Sequence, residues 1–552
     1  MKYATRFLAL ICLLCVLISS LSSCWALLLL PSPAVTQTSV SEDYTTVSPT
    51  QPARSDLTYD LTDADKTRFL DLLGQVETLI LTDRSEDADA ISAAVEAMEA
   101  QYDHIATQNE LAYIYYCMNV ASGERSEAYL FSSAMLSDLY AEYQAVCRRI
   151  DRSDAPYRDA FFADWSEEDL AEMRGYSEEQ NALGKANDGI LVRYRSLSSD
   201  EWYEGTPALY LETVGNNARI AELNGYESYL AYAYEKVYDR DYTPAEARTI
   251  HAMVKEYLIP ICERVYLDFQ SSYRTLNRSE RKVINALIRG EYTDVKAEID
   301  GYLAAYPQEA AEAMASLFAE GNLFYTDSEN ADESAFTAYL YEPGRPVCYF
   351  GPNYHAGYTV IHEMGHYYAA LCMNGDDVQM DLAETQSQGN EWIFTHYLAK
   401  THSETFGKAV FSYQLYSSLA SIVLASIVDE FEQSVYTDLP VSADEFDERM
   451  KAICDGYGGR AWLVTLFADP LDYWRGVVIE SPCYYISYAC SMLTSIGLYE
   501  MAKTDAESAR TTYLTIVGAD MGDLTYPAWI KQLGLESPFE ESLYQTVAAM
   551  VG

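Results

Sequence analysis

The chain has 552 residues, 49% of them hydrophobic, so it can bury large cores and is not an intrinsically disordered chain. Only 27 glycines and 17 prolines interrupt it, which favours helices over a turn-rich β architecture. With 37 Lys and Arg against 84 Asp and Glu the formal charge is −47; such a field excludes nucleic acid as a partner and leaves membrane contact to an apolar or lipid anchor.

Lys2 and Arg6 precede an uncharged run from Phe7 to Leu30, the n-region and h-region of an exported chain. Within it Leu21-Ser22-Ser23-Cys24 resembles the bacterial lipobox, which implies cleavage before a diacylated Cys24. Two acyl chains anchor stably where one is marginal. Because Trp25 to Leu30 stay apolar, an uncleaved membrane-spanning N-terminal helix is the competing expectation. Both place the body outside the cytoplasmic membrane. The segment PSPAVTQTSVSEDYTTVSPTQPARSD is rich in Ser, Thr and Pro and reads as a tether. The cysteines beyond Cys24 show no CxxC pair and no disulfide-framework spacing, so most are expected to be buried small hydrophobes.

From Tyr59 onward apolar residues recur at three- and four-residue spacing, as in AISAAVEAMEAQYDHI. Thr243-Pro244-Ala245-Glu246 joins an N-cap, a first-turn proline and a capping-box glutamate, and Ser442-Ala443-Asp444-Glu445 is a second capping box. The one strand-like interval is Arg345–Phe350. The expected fold is all-α with at most one small sheet.

Four of the seven histidines lie between His355 and His396. His362-Glu363-Met364-Gly365-His366 is an HExxH within GYTVIHEMGHYYAALCM. On a helix, i and i+4 sit one above the other, so two imidazoles can share one tetrahedral cation with Glu363 beside it, placed to accept a proton from water. HExxH alone also arises by chance, and a catalytic metal needs a third protein ligand. Eighteen residues after His366 stands Glu384, and on a second helix Glu384, Ser387 and Glu391 share one face. One carboxylate there can bind the metal and the others can orient the histidines. A His₂Glu set with an open position makes one Zn²⁺ per chain the default cofactor.

HExGH followed by this ExxSxxNE segment resembles the oligoendopeptidase F and thimet oligopeptidase family of zinc peptidases. Asn217–Tyr226 (NARIAELNGY) and Glu480–Tyr488 (ESPCYYISY) are similar to two further stretches of that family, so the likeness spans roughly residues 60–552. It implies a two-lobed helical ellipsoid around a deep channel, with an N-terminal lobe at 57–200 and a catalytic region at 201–552; the signal with lipobox (or membrane anchor) at 1–24 and the linker at 25–56 are read from the N-terminal residues themselves and depart from the family's usual location. It also implies His362, His366 and Glu384 as zinc ligands, Glu363 as general base, and Tyr485 and Tyr488, ahead of Tyr484, as donors to the substrate and oxyanion. The strand near Cys348 is expected to pair with an extended substrate. His355 reads either as a cleft residue or as an ordinary loop histidine, and His396 as structural.

The family's histidine shortly before its tyrosine stretch is missing, because no histidine follows His402. Arg475 is the nearest candidate to supply positive charge instead. The expected activity is zinc-dependent endopeptidase cleavage of short unstructured oligopeptides. The alternatives are a non-catalytic peptide-binding lipoprotein on the same fold and a related zinc carboxypeptidase or dipeptidase.

Overall fold

The computed structural model describes residues 57–82, 88–163, 165–375, 378–518, 521–522 and 524–551. The leader, Cys24 and the Ser/Thr/Pro-rich tether lie outside them.

Three long helices open the fold: α1 (Asp63–Leu81), α2 (Ala88–Cys117) and α3 (Gly123–Asp151). α1 starts at a Thr62/Asp65 capping box and buries Phe69, Leu73, Val76 and Ile80, one residue per turn on one face. Each such side chain contributes about 1.5–3 kcal/mol of burial. α4 (Glu178–Arg195) and α5 (Ser199–Leu223) follow and pack as a pair.

The sheet has three strands, β1 (Leu323–Tyr325), β2 (Ala335–Leu340) and β3 (Arg345–Phe350), in the order β1-β3-β2. β3 is the strand expected from the sequence. It lies in the middle, parallel to β1 and antiparallel to β2, with Thr337 opposite Cys348. The period of two divides the sheet's faces. Phe336, Ala338, Leu340, Val347 and Tyr349 join the core of α1 to α3, while Ala335, Cys348 and Phe350 join the core beneath the next helix.

That helix is α6 (Gly357–Met373), followed by α7 (Met380–Thr401), α8 (Glu404–Thr437) and, later, α9 (Ile486–Thr504). α7 is packed by α6, α8 and α9, so its polar residues from Asp381 to Glu391 are inside the protein. α8 is apolar enough to span a membrane, but 94% of its most apolar window is buried within the protein, as in a core helix. The Thr243 capping box forms as expected. At Ser442 the Glu445 carboxylate does return to the Ser442 amide, yet the helix begins only at Glu445 with Asp444 at its N-cap.

Candidate active site

α6 sets His362 above His366 on one face, with ring centroids 5.0 Å apart. Glu384, in the first turns of α7, brings its Oε2 to 3.7 Å from His362 Nε2 and 3.8 Å from His366 Nε2. One atom from each residue fits within a 4.8 Å group. A tetrahedral ion bound at about 2.0–2.1 Å spaces its ligands roughly 3.4 Å apart, so the three donors stand close to such a set.

Two glycines and a polar network allow this placement. Gly365, inside the motif, lets α6 approach α7: a Cβ there would stand 2.6 Å from both Gln386 O and Ser387 Cα. At Gly357, at the start of α6, a Cβ would stand 2.8 Å from Val295 Cγ2 and 3.0 Å from Leu287 Cδ2. His362 Nδ1 lies 2.7 Å from Glu391 Oε1, whose other oxygen accepts a 2.8 Å bond from Gln414 Nε2 of α8. The acceptor-only carboxylate assigns the proton to Nδ1 and turns the Nε2 lone pair toward Glu384. Burial, then the neighbouring His362, pushes His366 well below the usual histidine range, which keeps it in its neutral, ligating form. Ser387 Oγ donates to Glu384 Oε2 at 3.2 Å, and the Tyr484 hydroxyl donates to Glu384 Oε1. Burial raises the Glu384 carboxyl. Among the described residues, Glu384 and Glu391 have only histidines as ion-pair partners. Two buried carboxylates thus meet at the histidine pair with no Lys or Arg at ion-pair distance among the described residues, an arrangement into which a divalent cation would fit. The donor set therefore fits a metal.

Glu363 is almost fully buried beside this set. Thr337 Oγ1 on β2 donates to its Oε2 at 2.9 Å and lies 3.3 Å from its carbonyl oxygen. Cys348 Sγ is 3.3 Å from the same hydroxyl; burial and the Glu363 charge hold it well above the ordinary thiol range, so it stays protonated.

The tyrosine stretch enters on a turn in which Cys483 has φ +63. Arg240 secures that turn: it donates to Cys483 O and Tyr484 O at 2.8 Å each and to Ser487 Oγ at 2.8 Å, between the rings of Tyr234 and Tyr238. The Tyr484 hydroxyl reaches Glu384 as a result. Tyr485 and Tyr488, the two favoured on sequence grounds, pack edge-on around the Tyr484 ring at 6.0 and 5.0 Å. Arg240, Thr337 and Gln414 were missed. Their only signals are a lone cation in a Tyr- and Asp-rich turn and two polar residues in otherwise apolar segments.

Arg475 does not replace the missing histidine. Pro207, inside α5, has no N–H and leaves the carbonyl of Tyr203 without its helical donor. Arg475 Nε fills that place at 3.0 Å, and its other nitrogens bind Asp447 at 2.9 and 3.0 Å. His355 is set 2.8 Å from Glu291 and edge-on to Tyr325, outside the three-donor group. His396 is buried against Tyr499, and burial pushes it down to about 4.

Together the helical fold and the converged donors define a largely helical protein with a candidate metal centre between α6 and α7. No family model matches the sequence, and no curated protein matches it. Among solved structures the fold is that of oligoendopeptidase F proteins. One structure described as an oligoendopeptidase F superposes with a TM-score of 0.70 at 13% identity, over 91% of this chain and 98% of its own. Another so described, from Bacillus anthracis, gives 0.68 at 14%, covering 90% and 96%. PZ peptidase A, solved with an inhibitor, gives 0.68 at 14%, covering 90% and 97%.

Proposed function

We propose that this chain is a zinc-dependent endopeptidase of short unstructured peptides, related to the oligoendopeptidase F proteins whose fold it shares. The observation that carries this reading is the convergence of His362 Nε2, His366 Nε2 and Glu384 Oε2, with the buried Glu363 next to His362 on the same helix. His362, His366 and Glu384 would hold the ion, which when bound supplies Lewis acidity toward water and the scissile carbonyl.

The chain's own residues supply the proton transfers. Glu363 takes a proton as water oxygen bonds to the carbonyl carbon, and delivers a proton to the amide nitrogen as the C–N bond breaks. Thr337 keeps one oxygen of that carboxylate fixed. Tyr485 and Tyr488 would donate to the oxyanion, with Tyr484 holding Glu384 from the other side. The substrate strand belongs on β2 rather than on β3, because both edges of β3 are already paired. β2 is an edge strand and carries Thr337. The N-terminal region, residues 57–200, would wall the site against folded proteins, and Cys24 lipidation or an N-terminal helix would hold the body outside the cytoplasmic membrane.

The peptide-binding alternative keeps one observation in its favour: no histidine precedes the tyrosine stretch, and Arg475 is committed elsewhere. Loss of one electrostatic donor costs about 10²–10³ in turnover rather than all of it. The test incubates the zinc-loaded chain and its Glu363→Gln variant with unstructured peptides of graded length and reads products by mass spectrometry. Internal cleavage by the wild type alone is expected. Trimmed ends would indicate a carboxypeptidase or dipeptidase, and intact peptides in both samples, with zinc bound, would establish the binding protein.

A further inference from the structure

A cavity of about 470 Å³ opens between α3, α4 and α5 and reaches Ile479 and Pro482 at the entry to the tyrosine stretch. Its size is that of a small-ligand site. Tyr238 forms part of its wall, and the Tyr238 ring lies 5.6 Å from that of Tyr484, whose hydroxyl binds Glu384. Two tyrosine side chains, Tyr238 and Tyr484, thus lie between the cavity and the candidate ligand Glu384.

The lining has a definite chemistry. Tyr140, Tyr229, Tyr232 and Tyr238 present aromatic surface, and Asp188 presents a half-buried carboxylate. Asp188 accepts a 2.6 Å bond from Ser133 Oγ, but among the described residues no Lys, Arg or His nitrogen stands at ion-pair distance from it. The nearby Lys185 is held by Asp138, which Lys66 also binds at 2.6 Å. Burial pushes the Asp188 carboxyl up to about 6, outweighing the Ser133 hydrogen bond and the more distant Lys185 charge, both of which lower it. The cavity's lysine, Lys236, has Glu235 at 3.7 Å, and Glu172 adds a second carboxylate at the rim. A carboxylate among tyrosine faces suits a cation that also carries apolar or planar surface. The overall charge of −47 draws such ligands in.

We propose that this cavity is a subsite for a basic side chain, Lys or Arg, of the bound peptide, with Asp188 as its counter-charge and the tyrosine rings as its walls. The inference rests on the peptidase reading of the adjacent centre and adds a substrate preference to it.

The test uses the full zinc-loaded chain and internally quenched oligopeptides that carry Arg, or its neutral isostere citrulline, at one position at a time. At one position the Arg peptide is expected to show kcat/KM about tenfold or more above its citrulline partner, close to the contribution of one desolvated charge pair. Asp188→Asn should bring that ratio toward one. A second variant guards against misfolding: Gly184 lies one turn before Asp188 on α4, lines the cavity, and has open space where a Cβ would be. Gly184→Lys puts a resident cation beside Asp188 and should abolish the preference as well. An equal Arg-to-citrulline ratio in the wild type and both variants would overturn the subsite. Anisotropy of the same peptides, labelled, on Glu363→Gln separates the two claims. Preferential, Asp188-dependent binding of Arg without cleavage by the wild type would sink the peptidase and keep the subsite. Equal binding of Arg and citrulline would sink the subsite whatever is cleaved.

Discussion

Gly365 and Ser387 lie so close that a Cβ on the glycine would stand 2.6 Å from Ser387 Cα. The obstacle is the backbone of α7 at Gln386 and Ser387, which cannot turn aside as a flexible side chain can. This contact sets how near α6 comes to α7, and therefore how near the two imidazoles come to Glu384. Gly365→Ala is expected to cost about 1–3 kcal/mol of stability by overpacking. It should also weaken metal binding, because relief requires the helices to part. Thermal melts with and without Zn²⁺ check this; an unchanged melt and unchanged zinc affinity would show that the helices yield freely.

Glu391 acts on the metal site through His362. With Glu391→Gln the fixed acceptor at Nδ1 is lost, and Gln414 faces an amide in place of a carboxylate. Zinc affinity should fall by about 10–100-fold with all three ligands still present. Competition against a chromophoric chelator measures this directly. In a thermal melt, stripping the metal from the wild type should lower its melting temperature, and restoring zinc should recover it.

The converging histidines and carboxylate face were legible from periodicity, i and i+4 on one helix and Glu384, Ser387 and Glu391 on the next, while the choice of Glu384 among those carboxylates came from the family resemblance. What surrounds the set depends on tertiary placement. Thr337 reaches Glu363 from a strand whose residues are buried on both faces, so β2 shows no alternation by which to recognise it. Tyr484 was ranked below its two neighbours because a run of tyrosines carries no orientation; the turn held by Arg240 decides which hydroxyl faces Glu384. Spacing offers Arg475 as a candidate for positive charge near the site without showing where it points, and only the position of Pro207 one helix away shows why it is already engaged.

Arg240 is the cation that matters to the tyrosine turn. It is fully buried, donates to two carbonyls of that turn, and stands 3.9 Å from the buried Asp381. Arg240→Met removes both donors and leaves Asp381 without its counter-charge, at an expected cost of about 3 kcal/mol or more. Arg240→Lys keeps the charge but cannot span Cys483 O, Tyr484 O and Ser487 Oγ together. It should retain most of the stability while peptide turnover falls. Urea unfolding alongside a turnover assay separates these effects; turnover equal to wild type in Arg240→Lys would show that the turn needs only a charge.

Far from the metal site, Glu110 on α2 is buried, and burial pushes its carboxyl from 4.5 up to about 8. An acid whose folded pKa lies above its unfolded one stabilises the fold only while both states keep the proton. As pH rises above 4.5 the unfolded chain releases the proton and the folded chain does not, so stability falls until the pH reaches about 8. Glu110→Gln removes that dependence. The variant is expected to be more stable than the wild type near neutral pH by up to about 3 kcal/mol, with the gap closing toward acidic pH. Urea unfolding of both proteins near pH 8 and near pH 4.5 measures the two ends of this window. A constant difference across it would show that Glu110 keeps an ordinary pKa in the folded chain.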